Sequence, residues 1–234
     1  MTLTLKKMLG DSAASRGEAS PRPLRAPRAF RGWAALLAAF AGLTGHAAIA
    51  LDPAKAVTQY GHDVWMVDQG LPQNTVNAIL QTRDGYIWLG TEEGLARFDG
   101  VRFAVFDRRH TPGFSDNYVS ALLEDRSGSL WIGTRQGGLM RLSEGVFTPL
   151  TRREGLPHNF VRCLAQDRAG RVWVGTDAGL ALWTGKGFSV YTTRQGLSSD
   201  SVRSISEDVH GDLWIGTRGG GVNRLHSGVF TAYR

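Results

Sequence analysis

One four-residue phrase recurs four times: Trp88-Leu89-Gly90-Thr91, Trp131-Ile132-Gly133-Thr134, Trp173-Val174-Gly175-Thr176 and Trp214-Ile215-Gly216-Thr217. Successive tryptophans lie 43, 42 and 41 residues apart. A tandem period of this kind constrains the fold more than composition can. Each unit must be one supersecondary element that buries its apolar faces against its own copies. The rest of the chain falls into register around the phrase. Upstream lie short apolar runs, Val76 to Leu80, Val119 to Leu123, Val161 to Ala165 and Val202 to Ser206, which read as strands. Turns ending in Gly85, Gly128, Gly170 and Gly211 separate them from the tryptophans, and Asp125, Asp167 and Asp208 open three of these turns, with Thr82 at the first. Downstream, Gly94-Leu95, Gly138-Leu139, Gly179-Leu180 and Gly221-Val222 open a third strand, and Phe103, Phe147, Phe188 and Phe230 mark a fourth.

Four antiparallel strands per unit of ~42 residues, in tandem, predict an all-β chain, a β-propeller of about four four-stranded blades. The blades fall at about 71–111, 112–154, 155–195 and 196–234. Trp88, Trp131, Trp173, Trp214 and the phrase glycines Gly90, Gly133, Gly175 and Gly216 read as scaffold. A large ring on one sheet needs a shallow partner on the next, which Ala78, Ala121, Cys163 and Ser204 supply. Upstream of the first blade, residues 60–67 (Tyr60 to Val67) align with the approach to Gln195-Gly196-Leu197 and read as an orphan outer strand. The expectation is an open arc, or a fragment of a ring of roughly seven blades. Its end blades would self-associate, because open ends expose more apolar surface than soluble monomers usually carry.

The net charge of +6 belongs mostly to the first fifty residues, which hold seven Lys/Arg and two acids. Residues 51–234 carry twenty against nineteen, too even for a nucleic-acid surface. Arg22, Arg25, Arg28 and Arg31 precede an apolar run from Trp33 to Leu43 and a small-residue ending at Ala48-Ile49-Ala50. This reads as an export signal over 1–50, either cleaved or kept as an anchor, and places the repeats in the periplasm or outside the cell. The run is short of the ~20 residues that span a bilayer. Cys163 is the single cysteine and reads as a small core residue.

No nucleophile elbow, phosphate loop or dinucleotide fingerprint is present, and the six histidines are not paired at metal-ligand spacing. No cofactor or metal is expected, and acids that recur in phase suit turn hydrogen bonds better than acid–base catalysis. Ligand contacts are sought where the copies differ. Asn77, Ser120, Arg162 and Arg203 follow the first valine of the inner strand. Glu92, Arg135, Asp177 and Arg218 follow the Gly-Thr of the phrase. Gln73, Ser115, His158 and Ser199 lie in the connecting loops. In a four-stranded meander all three sets converge on one end of the channel. Arg135, Arg162, Arg203, Arg218, His158 and Asn77 are the candidate contacts, the arginines for a carboxylate or sulfate. Asn74, Asn117, Asn159 and Asp200 recur in phase and read as turn braces.

Leu-Pro-x-Asn-x-Val, then Asp-x-x-Gly-x-x-Trp-Ile-Gly-Thr, then Gly-Leu-x-Arg-Phe-Asp-Gly, resembles the two-component regulator propeller repeat. Leu71 to Phe103 follows it nearly throughout, and the resemblance covers residues from about 60 to 234. It implies an exported, non-enzymatic sensor module for a small molecule or glycan. In that family the repeats precede a membrane helix and a cytoplasmic histidine kinase or diguanylate cyclase, neither of which lies in this sequence. The alternatives are a propeller enzyme acting on polysaccharide and a protein–protein assembly module.

Overall fold

A computed structural model describes residues 63–234. The export signal expected over 1–50 and the start of the expected orphan strand, Tyr60 to His62, lie outside the described residues.

The described chain is sixteen strands in four separate antiparallel sheets, each in sequence order. Blade 1 holds β1 (Val76–Gln81), β2 (Ile87–Thr91), β3 (Leu95–Phe98) and β4 (Phe103–Phe106). Blade 2 holds β5 (Val119–Glu124), β6 (Leu130–Thr134), β7 (Leu139–Ser143) and β8 (Val146–Leu150). Blade 3 holds β9 (Val161–Gln166), β10 (Val172–Thr176), β11 (Gly179–Trp183) and β12 (Phe188–Tyr191). Blade 4 holds β13 (Val202–Glu207), β14 (Leu213–Thr217), β15 (Gly221–His226) and β16 (Val229–Tyr233). The propeller architecture read from the tryptophan period is the one observed.

Each letter of the repeated phrase has a mechanical role. Trp131, Trp173 and Trp214 donate their indole N–H to Oδ2 of Asp125, Asp167 and Asp208 at 2.8, 2.8 and 2.9 Å. The other oxygen of each acid accepts backbone N–H groups of its own turn, such as Ser129 N at 3.0 Å and Asp212 N at 3.0 Å. One carboxylate thus closes the β-turn and orients the ring. In blade 1, Thr82 Oγ1 takes the acid's place and accepts from Trp88 at 3.1 Å. The glycine leaves room for the next blade: a Cβ added to Gly133 would stand 2.6 Å from Val161 Cγ1 and 3.2 Å from Ala121 Cβ. The threonine hydroxyl donates to the glycine carbonyl that opens the third strand, as Thr134 does to Gly138 at 2.7 Å.

Three apolar clusters follow, one per blade junction. The middle one joins Trp131 and Leu139 of blade 2 to Val161, Val172 and Val174 of blade 3. The inner strands touch in sequence, β1 to β5 to β9 to β13. They do not close into a ring. Val119, Val161 and Val202 are wholly buried, whereas Val76, their counterpart, is 40% exposed. The structure is an open arc.

Residues 60–67 do not form the expected outer strand where they are described. Asp63–Met66 have no strand assignment, and Val67–Gln69 is a single 3-10 turn. All four sheets already hold their four strands, and the blade this segment was expected to complete is not among the described residues. The alignment behind the expectation does hold for the turn. Gln69 caps Met66 N–H as Gln195 caps Thr192 N–H, and Gly70 and Gly196 follow at φ of +102° and +109°. Trp65 packs edge-on against Phe98 with ring centroids 5.0 Å apart.

Candidate ligand-binding site

The four inner strands share one irregularity. Val76 pairs with Thr91 and Ala78 with Gly90, so Asn77 is skipped by the ladder. Ser120, Arg162 and Arg203 are skipped in the same way. A β-bulge frees a side chain from the pleat and re-aims it. The copies differ at the bulge because the sheet does not use that residue.

Two bulge residues serve the scaffold. Asn77 Nδ2 donates to Val119 O at 3.1 Å, and Ser120 Oγ donates to Val161 O at 2.6 Å, each stitching its blade to the next. The other two converge on one acid. Arg162 forks onto Asp177, Nε to Oδ1 at 3.0 Å and Nη2 to Oδ2 at 2.8 Å. Arg203 Nη2 stands 3.5 Å from Asp177 Oδ1, and Ser201 Oγ donates to the same oxygen at 3.1 Å. Arg162, which contributes most, and the Ser201 and Arg203 contacts hold the Asp177 carboxyl below the usual carboxylate range. The cluster is two guanidinium groups on one carboxylate, with positive charge in excess.

Two aromatic rings complete the site. Arg162 lies over Phe160 with its guanidinium carbon 3.5 Å from the ring centroid. Arg135, exposed in the turn after β6, reaches over Tyr118 at 5.2 Å and stands 5.9 Å from the Phe160 centroid. Asn77, Tyr118, Ser120, Phe160 and Arg162 line a shallow cavity of about 230 Å³. Two guanidinium groups accompany the rings, Arg162 over Phe160 in the lining and Arg135 over Tyr118 beside it. Arg135 makes no ion pair among the described residues, so its donors are available. The arrangement can hold an anion and stack a flat or sugar ring.

Of the expected contacts, Asn77 and Arg162 line this cavity, Arg135 lies over its Tyr118 wall, and Arg203 stands on Asp177. Arg218 is exposed on blade 4, and its backbone N–H donates to Ser201 O at 2.8 Å. His158 faces solvent, but its Nδ1 accepts Phe160 N–H at 2.9 Å and so shapes the loop that presents Phe160. Gln73, Asp116 and Ser199 play the same part in the other loops. In blade 2 that residue is Asp116, not Ser115: Gly113-Phe114-Ser115-Asp116-Asn117 is in register with Gly70-Leu71-Pro72-Gln73-Asn74, so Ser115 falls at the place of Pro72. The turn braces are as expected: Asn74, Asn117, Asn159 and Asp200 accept Val67, Arg108, Arg152 and Thr193 N–H. Tyr118 and Phe160 were missed by the sequence reading. The position before the inner valine is Thr75, Tyr118, Phe160 and Ser201. A change from small polar to aromatic in two adjacent blades was the available signal.

Cys163 sits behind the bulge, facing Gly175, and burial pushes its thiol up to about 12. A thiol in that state is not a nucleophile near neutrality. A thiol-reactive dye at pH 8 should therefore label the folded chain only as fast as it unfolds. Rapid native labelling would show that Cys163 is accessible and ionised.

A sequence profile for the family described as "Two component regulator propeller" matches the chain at 70–93, 113–136, 155–178 and 196–219. Each match runs from the glycine of a connecting loop, through the inner strand and its bulge, to two residues past the Gly-Thr. The chain belongs to the two component regulator propeller family. The matched stretches contain the inner-strand bulges, Tyr118, Phe160, Asp177 and the four arginines of the candidate set. No curated protein matches the chain. Among solved structures, it is similar to the extracellular domain assigned to the hybrid two component system BT3049 of B. thetaiotaomicron. The identity is 23% and the TM-score 0.67, over 74% of this chain and 26% of that one. The extracellular domain assigned to the one component system BT4673 of the same organism matches at 21% identity and a TM-score of 0.57, over 70% of this chain and 25% of that one. Virginiamycin B lyase from Staphylococcus aureus matches at 15% identity and a TM-score of 0.56, over 70% of this chain and 57% of that one. These likenesses show the propeller fold. The chain spans about a quarter of the length of the two signalling relatives.

Proposed function

We propose that the arc is the sensing module of an exported two component receptor and that it takes an anionic ligand on the channel end of blades 1 to 3. Family membership supports the signalling role. The extracellular placement of the similar B. thetaiotaomicron domains, with the basic leader and apolar run before Leu51, supports export. The observation that carries the site is a cavity of about 230 Å³ lined by Tyr118, Phe160 and Arg162, with Arg135 over Tyr118. An acidic glycan is the class that uses both halves of this surface, its carboxylates taking the guanidinium donors and its rings the aromatic faces. Asp177 is the fixed counter-ion that holds Arg162 rigid, so that Arg162 offers its outward edge rather than its fork.

The test is a thermal-shift comparison of oligouronates with neutral oligosaccharides of the same length. Ligand at 100 times its dissociation constant should raise stability by about 2.7 kcal/mol. Arg135→Ala should remove that shift while leaving the unliganded melting temperature unchanged, because Arg135 is exposed and makes no ion pair among the described residues. An undiminished shift in Arg135→Ala, or equal shifts with neutral and acidic sugars, would overturn the assignment.

A further inference from the structure

Each junction of the arc has a recess between the tryptophan of the leading blade and the third strand of the following one. It lies at the end of the blades that carries the turns after β1 and β7. At the second junction the recess is filled, because Trp183 of β11 meets Trp131 edge-on with ring centroids 5.8 Å apart. Strand register puts Leu142 at the place of Trp183 in blade 2 and Leu225 there in blade 4, each opposite the phenylalanine of its fourth strand. The smaller side chain leaves a cavity at both of those junctions, about 280 Å³ at the first and about 270 Å³ at the third.

The two cavities differ in charge. At the third junction Arg171 is the one charged residue in the lining, and Asp167 Oδ2 already takes its Nε at 2.6 Å. At the first, Trp88, Phe106, Leu130, Leu142 and Phe147 form an apolar wall, and Arg97, Asp84 and Glu144 bring charge of both signs to it. Glu124 also lines this cavity but is held by Arg83, whose backbone N–H donates to Oε2 at 3.0 Å and whose Nε stands 3.2 Å from Oε1. The other three charges are free to act on a ligand. Arg97 stacks over Tyr86 at 4.4 Å, which leaves the donors in its guanidinium plane open, and it makes no ion pair among the described residues. Asp84 owes its freedom to Thr82, which stands where the other blades have the acid that accepts the tryptophan N–H. Asp84 Oδ1 accepts the Thr82 hydroxyl at 2.6 Å, and its Oδ2 makes no hydrogen bond among the described residues. Glu144, exposed in the turn after β7, makes no ion pair among the described residues.

Opposite charges that line one small cavity without pairing with each other suit a ligand that carries both. We propose that the recess between blades 1 and 2 binds a small aromatic zwitterion of the α-amino acid class. Its ring packs among Trp88, Phe106 and Phe147, where ring–ring contact adds to the burial of apolar area. Its carboxylate takes the Arg97 guanidinium, and its ammonium lies between Asp84 and Glu144. The cavity is just under the roughly 300–1,000 Å³ of pockets for drug-sized ligands, which suits a single amino acid rather than a peptide. It shares no residue with the cavity lined by Tyr118 and Phe160.

Isothermal titration calorimetry on the full chain should show L-phenylalanine binding at millimolar concentration or below. Phenethylamine, which lacks the carboxylate, and 3-phenylpropionate, which lacks the ammonium, should each bind at least about tenfold more weakly, the effect of one lost charge-assisted contact. Arg97→Gln should abolish the preference for L-phenylalanine over phenethylamine and keep the preference over 3-phenylpropionate. Asp84→Asn with Glu144→Gln should do the reverse. Leu142→Trp, which copies the second junction, should fill the recess and remove binding. Arg97 makes no hydrogen bond or ion pair among the described residues, so Arg97→Gln should keep the parent's melting curve and carry the test even if the larger ring at 142 disturbs folding. L-phenylalanine that fails to bind would overturn the proposal. So would either analogue binding as tightly as the amino acid, binding that survives Leu142→Trp in a folded chain, or charge variants that leave both preferences intact.

Discussion

Replacing Trp131 with alanine will cost the arc roughly 3–5 kcal/mol, the usual range for deleting a fully buried aromatic ring. Trp131 is 1% exposed and belongs to the cluster that joins blades 2 and 3. Its ring also meets Trp183 edge-on at 5.8 Å. For a chain of this size each kcal/mol is worth about 2–4 °C in melting temperature, so the loss is readable in a simple thermal scan. Trp214→Ala is the internal control. The same residue at the same place in the repeat has no following blade in the arc and is only half-buried. It should cost clearly less than Trp131→Ala. Equal losses at the two positions would mean that the rings stabilise their own sheets and not the junctions.

The second large effect lies in the turn acids and carries a pH signature. The carboxyls of Asp125, Asp167 and Asp208 are all held below the usual 3.8, that of Asp208 at about 2. Burial opposes ionisation at Asp125 and Asp167, but hydrogen bonds to the charged form outweigh it, from Ser127 and Trp131 at the first and from Trp173 and Arg171 at the second. At Asp208 the indole N–H of Trp214 is the main cause. A carboxylate whose folded value is depressed adds stability that is complete above its unfolded value, near 3.8, and is lost as pH falls through the folded value. The melting temperature should therefore be level above about pH 5 and fall between about pH 4 and pH 2. Asp167→Ala leaves the buried indole N–H of Trp173 and the Arg171 guanidinium without their acceptor, which costs about 1–3 kcal/mol at pH 7. The gap between variant and parent should narrow as pH falls below about 4, as Asp167 becomes protonated in the parent. A constant gap across the whole range would mean that the side chain matters for packing and not for its charge.

Much of this architecture could be read before any coordinates, because period and turn chemistry are local properties. The four tryptophans gave the blade, the glycines gave the hairpins, and the in-phase Asn74, Asn117, Asn159 and Asp200 gave the braces. The reading faltered where a contact crosses the repeat. The recurring acids were legible as turn residues. Their grip on the tryptophan was not, because it depends on which oxygen faces the ring six residues on. Arg162 and Arg203 were legible as departures from the pattern and Asp177 as another. Their meeting on one carboxylate required the bulges, which no spacing reveals. Tyr118 and Phe160 were passed over because an aromatic residue beside a strand looks like core until its neighbours are seen. Residues 60–67 carried a true alignment: the capped turn is there, and the strand expected before it finds no partner blade among the described residues.

The bulge also bears on how such a receptor could change its taste. Every other inner-strand position is pinned, by a ladder bond on one side or a neighbouring blade on the other, and most replacements there would be purged for instability. The skipped residue is exempt from the ladder. Asn77 and Ser120 use that freedom to bond the next blade, which leaves Arg162 and Arg203, with Asp177, as the positions where new chemistry can be tried at least cost to the scaffold. A lineage, or an engineer, could move from an anionic ligand to a neutral or cationic one by rewriting Arg162 and Arg203 together with Asp177, while the blades that carry them stay as they are.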